Sequence, residues 1–250
     1  MRPNRLKQIW ASGKAATNCW LMLPSAISAE QLARQGWDSL SVDCEHGQAD
    51  HAAMVAILTA ISTTDAVPMV RVKWNDPGDI MRALDAGAYG VICPMIETRE
   101  HCEAFVGACR YAPLGYRSYG PRRAEIYAGA DYAEHANETV LAIAQVESSK
   151  AMANIEAIAG VKGLDMLYLG PNDLRLSLGM KPRLRLEEPE ILAAADRLVA
   201  VAHGAGLKAG IFCAHPDDAL AMIGRGFDLV TAVIDDALLA AGADIRRRFT

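Results

Sequence analysis

Residues 141–174, LAIAQVESSKAMANIEAIAGVKGLDMLYLGPNDL, contain the pattern that decides the fold. The first six residues form a short apolar run between polar neighbours, which is typical of a buried parallel strand. Ser148 can cap the helix that follows, and Gly160 suits its end. A second apolar run, residues 166–169, leads into Gly170. The stretch therefore predicts a strand–helix–strand unit with two parallel strands.

An acidic residue stands just beyond each of these strands, Glu147 after the first and Asp173 after the second. Neighbouring strands lie about 4.8 Å apart, so if the two strands pair, both carboxylates enter the same small space. Two close carboxylates repel unless one takes up a proton or a cation sits between them. A hard divalent cation with few protein ligands, several waters and a chelating substrate fits such a pair. Both acids could be ordinary helix-starting residues, but their occurrence on consecutive strands favours a metal site.

The composition excludes several classes of function. The 250 residues are 52% hydrophobic and 22% charged, which is ordinary for a globular protein with a sizeable core. A formal net charge of −5 argues against a general nucleic-acid binder, because no basic surplus is available for phosphates. No apolar run is long enough to predict a membrane span, and the N-terminus lacks the apolar region of a secretory signal. The six cysteines have no CxxC spacing, so we expect reduced thiols and a cytoplasmic protein.

Eight short apolar runs alternate with helical patterns along the chain. They lie at residues 19–22, 37–42, 67–72, 90–93, 141–146, 166–169, 208–212 and 229–232. Ser28 and Gln31 match a capping box for the first helix between strands. This alternation predicts an α/β protein with a (β/α)8 TIM barrel. No linker or internal repeat is visible, so residues 1–250 are interpreted as one barrel domain with a long irregular segment at about 111–137.

Further polar side chains occur at the carboxyl ends of the predicted strands, where barrel enzymes carry their chemistry. Asp43, Glu45 and His46 follow the second strand, and Arg71 ends the third. Each has an ordinary alternative as a turn residue, a loop histidine or a surface ion-pair partner. Together with the two carboxylates, they suit a small anionic substrate whose carbonyl is polarised.

Six short motifs, in this order and spacing, give the chain a resemblance to a known family. They are DCEH at residues 43–46, VRVKWNDP at 70–77, PM at 94–95, RYAPLGYR at 110–117, QVE at 145–147 and GPNDL at 170–174. Over residues 20–235 the chain resembles the class II (metal-dependent) pyruvate aldolases of the 4-hydroxy-2-oxoheptanedioate aldolase and 2-keto-3-deoxy-sugar-acid aldolase family, which is related to citrate lyase barrels. The resemblance implies a TIM barrel of the phosphoenolpyruvate/pyruvate-binding type.

The resemblance also implies roles for individual residues. Glu147 and Asp173 would hold Mg²⁺ or Mn²⁺, with Co²⁺ as a third option, and Gln145 would support the waters on the metal. Pyruvate would chelate this ion and place its carboxylate on the backbone amides of Asn172 and Asp173. Arg71 would stabilise the enolate oxyanion.

His46 would act as the base, oriented by Asp85. Asp43 and Glu45 would contact the residues that bind the substrate without binding it themselves. One residue departs from the family pattern: Arg175 stands where a serine usually follows Asp-Leu. This change leaves the metal ligands intact but could alter the donor-side wall or a subunit contact. The acceptor pocket matches no family signature, and its candidate residues are Trp20, Phe212, Arg122 and Arg123.

The expected reaction is reversible cleavage of a 4-hydroxy-2-oxo acid to pyruvate and an aldehyde through a metal-bound pyruvate enolate. Close alternatives are a lyase on a CoA thioester and an oxaloacetate decarboxylase, which use the same enolate chemistry. A Schiff-base aldolase using Lys73 would leave the paired carboxylates without a role. A non-catalytic oligomeric barrel that binds an acid is disfavoured by the presence of His46 and Arg71.

The long segment at 111–137 also bears on assembly, because it combines arginines with aromatic residues, a pairing enriched at protein interfaces. Ordering its backbone costs about 1–2 kcal/mol per residue unless the segment buries surface. A flexible surface loop is the alternative. The resemblance points to trimers or hexamers, so we expect a homo-oligomer, with a hexamer as the first choice. In it, Arg122 or Arg123 would reach a neighbour's acceptor pocket, and Arg123→Ala would raise KM for acidic aldehydes.

Overall fold

The structure, a computed structural model, describes residues 1–249 and shows a closed barrel of eight parallel strands. Each strand pairs with the next along the chain, and β8 closes the ring against β1. The strands are β1 Ala16–Leu21, β2 Ser39–Asp43, β3 Val67–Arg71, β4 Gly90–Cys93, β5 Leu141–Val146, β6 Met166–Leu169, β7 Lys208–Phe212 and β8 Leu229–Ile234. The predicted (β/α)8 TIM barrel is confirmed, and β4 to β7 occupy the predicted residues.

Helices surround the barrel between the strands. Their bounds are α1 Arg5–Ala11, α2 Ala26–Ala33, α3 His51–Ile61, α4 Pro77–Asp85, α5 Arg99–Cys109, α6 Arg122–Ala128, α7 Tyr132–Thr139, α8 Ser149–Ala153, α9 Ile155–Ala159, α10 Pro171–Ser177, α11 Pro189–Gly204, α12 Pro216–Gly224 and α13 Asp235–Arg247. The capping box predicted at Ser28 is wrong, because Ser25 caps α2 and accepts a hydrogen bond from the Ser28 amide (3.2 Å). Within residues 1–249, no helix is both long and apolar enough to cross a membrane.

The unit at residues 141–174 forms as predicted, with one correction. β5 and β6 pair in parallel, with Gln145 opposite Tyr168. Ser148 is the helix cap, and its hydroxyl accepts a hydrogen bond from the Ala151 amide (3.0 Å). The single predicted helix is divided into α8 and α9 by Asn154, whose side-chain amide donates to the Glu97 carbonyl (2.9 Å).

A buried polar network fills part of the barrel interior. The Asn18 amide donates to the Thr231 hydroxyl (2.9 Å), and the hydroxyls of Ser39 and Ser41 each donate to the Asn18 carbonyl oxygen (3.0 Å). The Tyr168 and Thr231 hydroxyls lie 2.6 Å apart. These mutual hydrogen bonds offset the cost of burying polar groups.

The segment at residues 111–137 is more regular than predicted, because it contains α6 and most of α7. Buried Arg117 holds it in place by donating to the Tyr132 hydroxyl (2.9 Å) and to the Asp85 carboxylate (2.8 Å). The Arg117 guanidinium carbon also lies 4.4 Å from the centroid of the Tyr111 ring. Several residues that suggested an interface therefore pack the segment onto its own chain.

Arg123 is likewise engaged within its own chain. Its guanidinium donates to the carbonyls of Leu58 (3.2 Å) and Ala86 (2.8 Å). It also donates to the hydroxyls of Thr59 (2.9 Å) and Ser62 (2.8 Å). These acceptors lie at the carboxyl ends of α3 and α4, where helix carbonyls lack partners and a positive charge is favourable. All three Arg123 nitrogens donate within the chain, whereas the expected contact with a neighbour's acceptor pocket stays a prediction.

Candidate active site

The carboxyl ends of the strands surround a cavity of about 240 Å³. The predicted site residues that line it are Trp20, Asp43, His46, Arg71, Gln145, Asn172, Asp173 and Phe212. The lining residues that the sequence did not single out as site residues are Met22, Tyr168, Gly170, Pro171, Ile234 and Asp236. No local signal indicated Met22, Ile234 or Asp236, because the ends of β1 and β8 meet only when the barrel closes.

Arg71 is held in one orientation by the carboxylate of Asp43. Its Nε and one terminal nitrogen donate to the two carboxylate oxygens at 3.0 and 2.6 Å, and such bidentate pairs are strong. The other terminal nitrogen lies 2.9 Å from Oε2 of Glu45. The Trp20 ring lies 4.9 Å from the guanidinium carbon, and its indole nitrogen donates to Asp43 (3.1 Å). The guanidinium is therefore fixed before any substrate arrives.

Asp43 is fully buried yet ionised. Burial alone would raise its pKa, but the hydrogen bonds and positive charge of Arg71 outweigh burial and lower the pKa below its usual value. Asp43 also accepts hydrogen bonds from the backbone amides of Glu45 (3.0 Å) and His46 (3.2 Å). One side chain thus fixes both the guanidinium and the turn that carries His46.

Glu147 is only 2% exposed, and two backbone features make room for it. The Met95 amide donates to its Oε1 at 2.8 Å from a left-handed conformation with φ of 53°, which is uncommon for a non-glycine residue. Gly170 lies against the carboxylate, and a Cβ there would overlap Oε2 and stand 2.8 Å from the Glu147 Cβ. The Gln145 amide nitrogen donates to Oε2. Even alanine at position 170 would displace the carboxylate.

The oxygens around Glu147 suit a hard divalent cation. Exposed Asp173 accepts no hydrogen bond from any residue in 1–249, and the side-chain oxygen of buried Gln145 likewise has no partner among the described residues. No group of three or more His, Cys, Asp and Glu side chains in that range is arranged to hold a metal. A cation here would therefore have two protein carboxylates, with water, an amide oxygen and substrate completing its shell.

The site carries more negative than positive charge. Burial raises the pKa of Glu147 to about 7, and the charges of Asp173 and Glu45 add to this effect. Burial also raises the pKa of Glu45 to about 7, although Arg71 opposes the shift. With Asp43, four carboxylates face one guanidinium, an excess that a bound cation would neutralise.

Asn172 and Asp173 lie in the first turn of α10, which begins directly after Gly170. The first N–H groups of a helix have no carbonyl partner within that helix, so they are available to an anion. The Asn172 side chain is already engaged, because its oxygen accepts hydrogen bonds from Arg175 (2.8 Å) and from the Arg183 amide (3.0 Å). Substrate contact at Asn172 would thus involve its backbone.

Arg175, the residue that departs from the family pattern, is completely buried. It donates to the carbonyls of Arg183 (3.2 Å) and Arg185 (2.6 Å) and to the Glu188 carboxylate (2.7 Å). With its bond to Asn172, these contacts tie the loop before α11 to the first turn of α10. Arg175 therefore acts inside its own chain and supports the turn that carries Asp173.

His46 lies at the rim of the cavity with its side chain 61% exposed, and its Nε2 is 3.8 Å from Oε1 of Glu45. Within the chain, Asp85 lies away from His46 and pairs with Arg117. Asp85 ends α4 and accepts a hydrogen bond from Arg117 (2.8 Å). Because α4 runs back along the barrel, its last residue lies at the opposite end from the strand carboxyl termini. The carboxylate beside His46 is Glu45.

Comparison with known proteins decides the family. A sequence model of the HpcH/HpaI aldolase/citrate lyase family matches residues 16–241. The chain belongs to this family. A hydroxypyruvate/pyruvate aldolase of Rhizorhabdus wittichii is 42% identical over 240 residues, covering 96% of each protein. A 4-hydroxy-2-oxo-heptane-1,7-dioate aldolase of Salmonella dublin is 32% identical over 244 residues, covering 96% of this chain and 92% of that protein.

Solved structures of HpcH/HpaI relatives share the architecture. A family member from Burkholderia cenocepacia is 32% identical, with a TM-score of 0.89 over 99% of this chain and 100% of the other. The citrate lyase beta subunit of M. tuberculosis, complexed with oxaloacetate and magnesium, is 16% identical, with a TM-score of 0.59 over 89% and 93% of the two chains. The first likeness agrees with the family assignment, and the second shows the common fold. The resemblance inferred from the motifs is confirmed.

The raised pKa values predict that the metal-free protein loses stability as the pH rises. Between the ordinary glutamate pKa and about 7, folded Glu45 and Glu147 hold protons that the unfolded chain has released. The free energy of unfolding therefore falls from pH 5 to pH 8. Thermal melts in EDTA should show a lower midpoint at pH 8, by roughly 2–4 °C for each kcal/mol lost. Excess Mg²⁺ or Mn²⁺ should raise the midpoint more at pH 8 than at pH 5.

Glu147→Gln isolates the contribution of one group in this measurement. The amide keeps the volume of the side chain but cannot ionise, so the dependence of the melting midpoint on pH should weaken. Glu103→Gln, at an exposed position on α5, is the matched control and should keep the wild-type dependence. An equal slope in wild type and Glu147→Gln would contradict the assignment of a raised pKa to Glu147.

Proposed function

We propose that this protein is a metal-dependent aldolase that reversibly cleaves a 4-hydroxy-2-oxo acid to a 2-oxo acid and an aldehyde. The observation that carries the proposal is that Asp173, Gln145 and a guanidinium held by Asp43 line one cavity. Gln145 donates a hydrogen bond to the buried Glu147 carboxylate, and the charge of Asp173 acts on that carboxylate. The relatives named above are aldolases, which agrees with this chemistry. By analogy with the Rhizorhabdus wittichii relative, the donor is pyruvate or hydroxypyruvate.

Glu147 and Asp173 would hold the divalent cation, Mg²⁺ or Mn²⁺ with Co²⁺ as an alternative. When bound, the ion polarises the keto group of the substrate and stabilises the negative charge that develops there. The magnesium in the citrate lyase beta subunit supports this choice at the level of the fold. The backbone amides of Asn172 and Asp173 would receive the substrate carboxylate at the start of α10.

Arg71 would stabilise the enolate oxygen formed when the bond between C3 and C4 breaks. Because Asp43 and Glu45 already hold the guanidinium, it needs no reorganisation during the reaction. His46 would remove the proton of the C4 hydroxyl as that carbon becomes the aldehyde carbonyl. The Glu45 carboxylate is the acidic group beside His46, 3.8 Å from its Nε2. The enolate then takes up a proton at C3, and every step reverses in the synthetic direction.

Oxaloacetate decarboxylation passes through the same enolate and provides an assay that requires no aldehyde. The bond between C3 and C4 breaks, and C4 leaves as carbon dioxide in place of an aldehyde. No hydroxyl proton therefore has to be removed. Arg71 is needed in both reactions, whereas the base is needed only for aldol cleavage. The two reactions therefore separate the roles of His46 and Arg71.

The first test concerns the metal. EDTA should abolish aldol cleavage, and Mg²⁺, Mn²⁺ or Co²⁺ should restore it. Glu147→Gln and Asp173→Asn should remain folded by circular dichroism but inactive at saturating metal. Lys73 lines no part of this cavity and lies 3.6 Å from Asp79, so borohydride with pyruvate should trap no adduct. Full turnover in excess chelator, or an adduct on Lys73, would refute the metal mechanism.

The second test separates the base from the enolate-stabilising group. His46→Ala should lower aldol turnover about 10²- to 10⁴-fold, the usual contribution of general acid–base catalysis, and should affect oxaloacetate decarboxylation much less. Arg71→Lys, which keeps a positive charge opposite buried Asp43, should impair both reactions. Equal losses in the two reactions for His46→Ala would show that His46 is not the base.

We also propose that the active enzyme is a homo-oligomer, with a hexamer as the first choice. α13 supports this proposal because Leu238, Leu239 and Ile245 are all between 46% and 68% exposed. A helix with so many exposed apolar side chains usually packs against another surface. Within the chain, α13 packs mainly against β1 and β8 at its start. Arg122 remains exposed on α6 and available to a neighbouring subunit.

Light scattering on the purified protein should give a mass several times 26.8 kDa. Leu239→Asp should lower that mass, because a buried carboxylate would oppose burial of α13 between subunits. Leu184→Asp, at a leucine of similar exposure in the loop before α11, serves as the control and should leave the mass unchanged. A fully active species near 26.8 kDa would rule out the oligomer.

A further inference from the structure

One arc of the cavity wall is formed by the ends of β7, β8 and β1, and apart from Trp20 its residues have no role in the chemistry proposed above. In the closed strand order this arc begins with β7, the partner of β6, and continues through β8 and β1, away from β5. Four of its side chains are apolar or aromatic: Trp20, Met22, Phe212 and Ile234. The fifth is Asp236, which brings a carboxylate into this apolar wall.

The position of Asp236 is determined by its buried neighbour. Asp235 accepts hydrogen bonds from the amides of Met22 (2.8 Å) and Leu23 (3.1 Å) at the end of β1. Its Oδ1 also accepts one from the amide of Asp236 (2.9 Å). These three contacts join the end of β1 to the start of α13. They fix the backbone turn that carries Asp236, a residue that lines the cavity.

No free cation faces this carboxylate from the same cavity. Among the described residues that line it, the basic side chains are Arg71 and His46. Arg71 is engaged by both oxygens of Asp43 and by Glu45, and His46 lies beside Glu45. An aldehyde that carries its own carboxylate would meet Asp236 without a compensating charge from the residues of the same subunit that line the cavity. A hydroxyl group could donate a hydrogen bond to the same carboxylate.

We propose that Asp236 selects short, uncharged hydroxyaldehydes as acceptors and rejects aldehydes that carry a carboxylate. This inference rests on the aldolase function proposed above and names the substrate class of that site. In cleavage, the preferred substrate would be a 4-hydroxy-2-oxo acid with a further hydroxyl on the carbon beyond C4. The second carboxylate of a heptanedioate substrate would be disfavoured. Like charges held close together oppose binding, and an unpaired polar contact is a strong source of discrimination.

Asp236 has an ordinary alternative role as an acid in the first turn of α13, where its negative charge interacts favourably with the positive end of the helix dipole. Asp217 provides the matched control for that role. It occupies the equivalent place in α12, directly after the first helical residue, and its side chain is 70% exposed. It does not line the cavity. A substitution at Asp217 removes the same charge at the same helical position, but this residue cannot contact an aldehyde bound in the cavity.

The experiment measures kcat/KM for the addition of pyruvate to glycolaldehyde and to glyoxylate with the metal-loaded enzyme. These two aldehydes are nearly equal in size and differ in whether a hydroxymethyl or a carboxylate group follows the carbonyl. The wild type should prefer glycolaldehyde. Asp236→Asn should reduce the preference about tenfold, the usual effect of one hydrogen bond to a charged group. Asp236→Lys should reduce it further or reverse it, and Asp217→Asn should leave it unchanged.

An unchanged preference in both Asp236 variants, an equal change in Asp217→Asn, or a wild-type preference for glyoxylate would overturn the inference. Oxaloacetate decarboxylation by the wild type separates this failure from failure of the proposed function. If decarboxylation is present and the preference does not respond to Asp236, only the selectivity role is wrong. If the wild type neither decarboxylates oxaloacetate nor adds pyruvate to either aldehyde, the aldolase proposal fails and the inference fails with it.

Discussion

The mouth of this barrel gathers four carboxylates around one guanidinium, and much of the surrounding structure keeps them there. Asp43 is ionised because two hydrogen bonds from Arg71 outweigh the effect of its burial. For Glu45 and Glu147, hydrogen bonds and positive charges do not outweigh burial, and the pKa of each rises to about 7. Burial and the neighbouring negative charges raise these pKa values, and a cation at the proposed site between Glu147 and Asp173 would offset both effects.

The backbone is adapted to this charge at two places. Met95 has a left-handed conformation that directs its amide at Glu147, and Gly170 leaves the volume that this carboxylate occupies. Uncommon backbone conformations of this kind cost about 1–3 kcal/mol and occur preferentially at functional sites. Gln145 then bonds the same carboxylate from the strand itself. A side chain that repels its neighbours is thus held by donors from two separate segments, and Gly170 leaves the space for it.

Arginines illustrate how widely one residue type varies in role. Arg117, Arg123 and Arg175 each donate to acceptors of their own chain, and the bonds fasten the 111–137 segment, two helix ends and the loop before α11. Arg71 differs because it lines a cavity together with its partner Asp43. A guanidinium has five donor hydrogens and serves carbonyls, carboxylates or substrate equally well. The positions of the acceptors determine which of these roles an arginine can take.

The sequence by itself determined the barrel and most of the candidate site. Buried parallel strands must be apolar, and the polar residues that follow them must meet at one end of the barrel, so Glu147, Asp173 and Arg71 were recognisable locally. The tertiary structure alone decided that Asp85 pairs with Arg117, that Arg123 binds helix ends, and that Asp236 enters the cavity. The physical reason is that a polar side chain takes whichever partner lies within hydrogen-bonding distance. For these three residues, the partner comes from an element that only the closed barrel and its packed helices bring near.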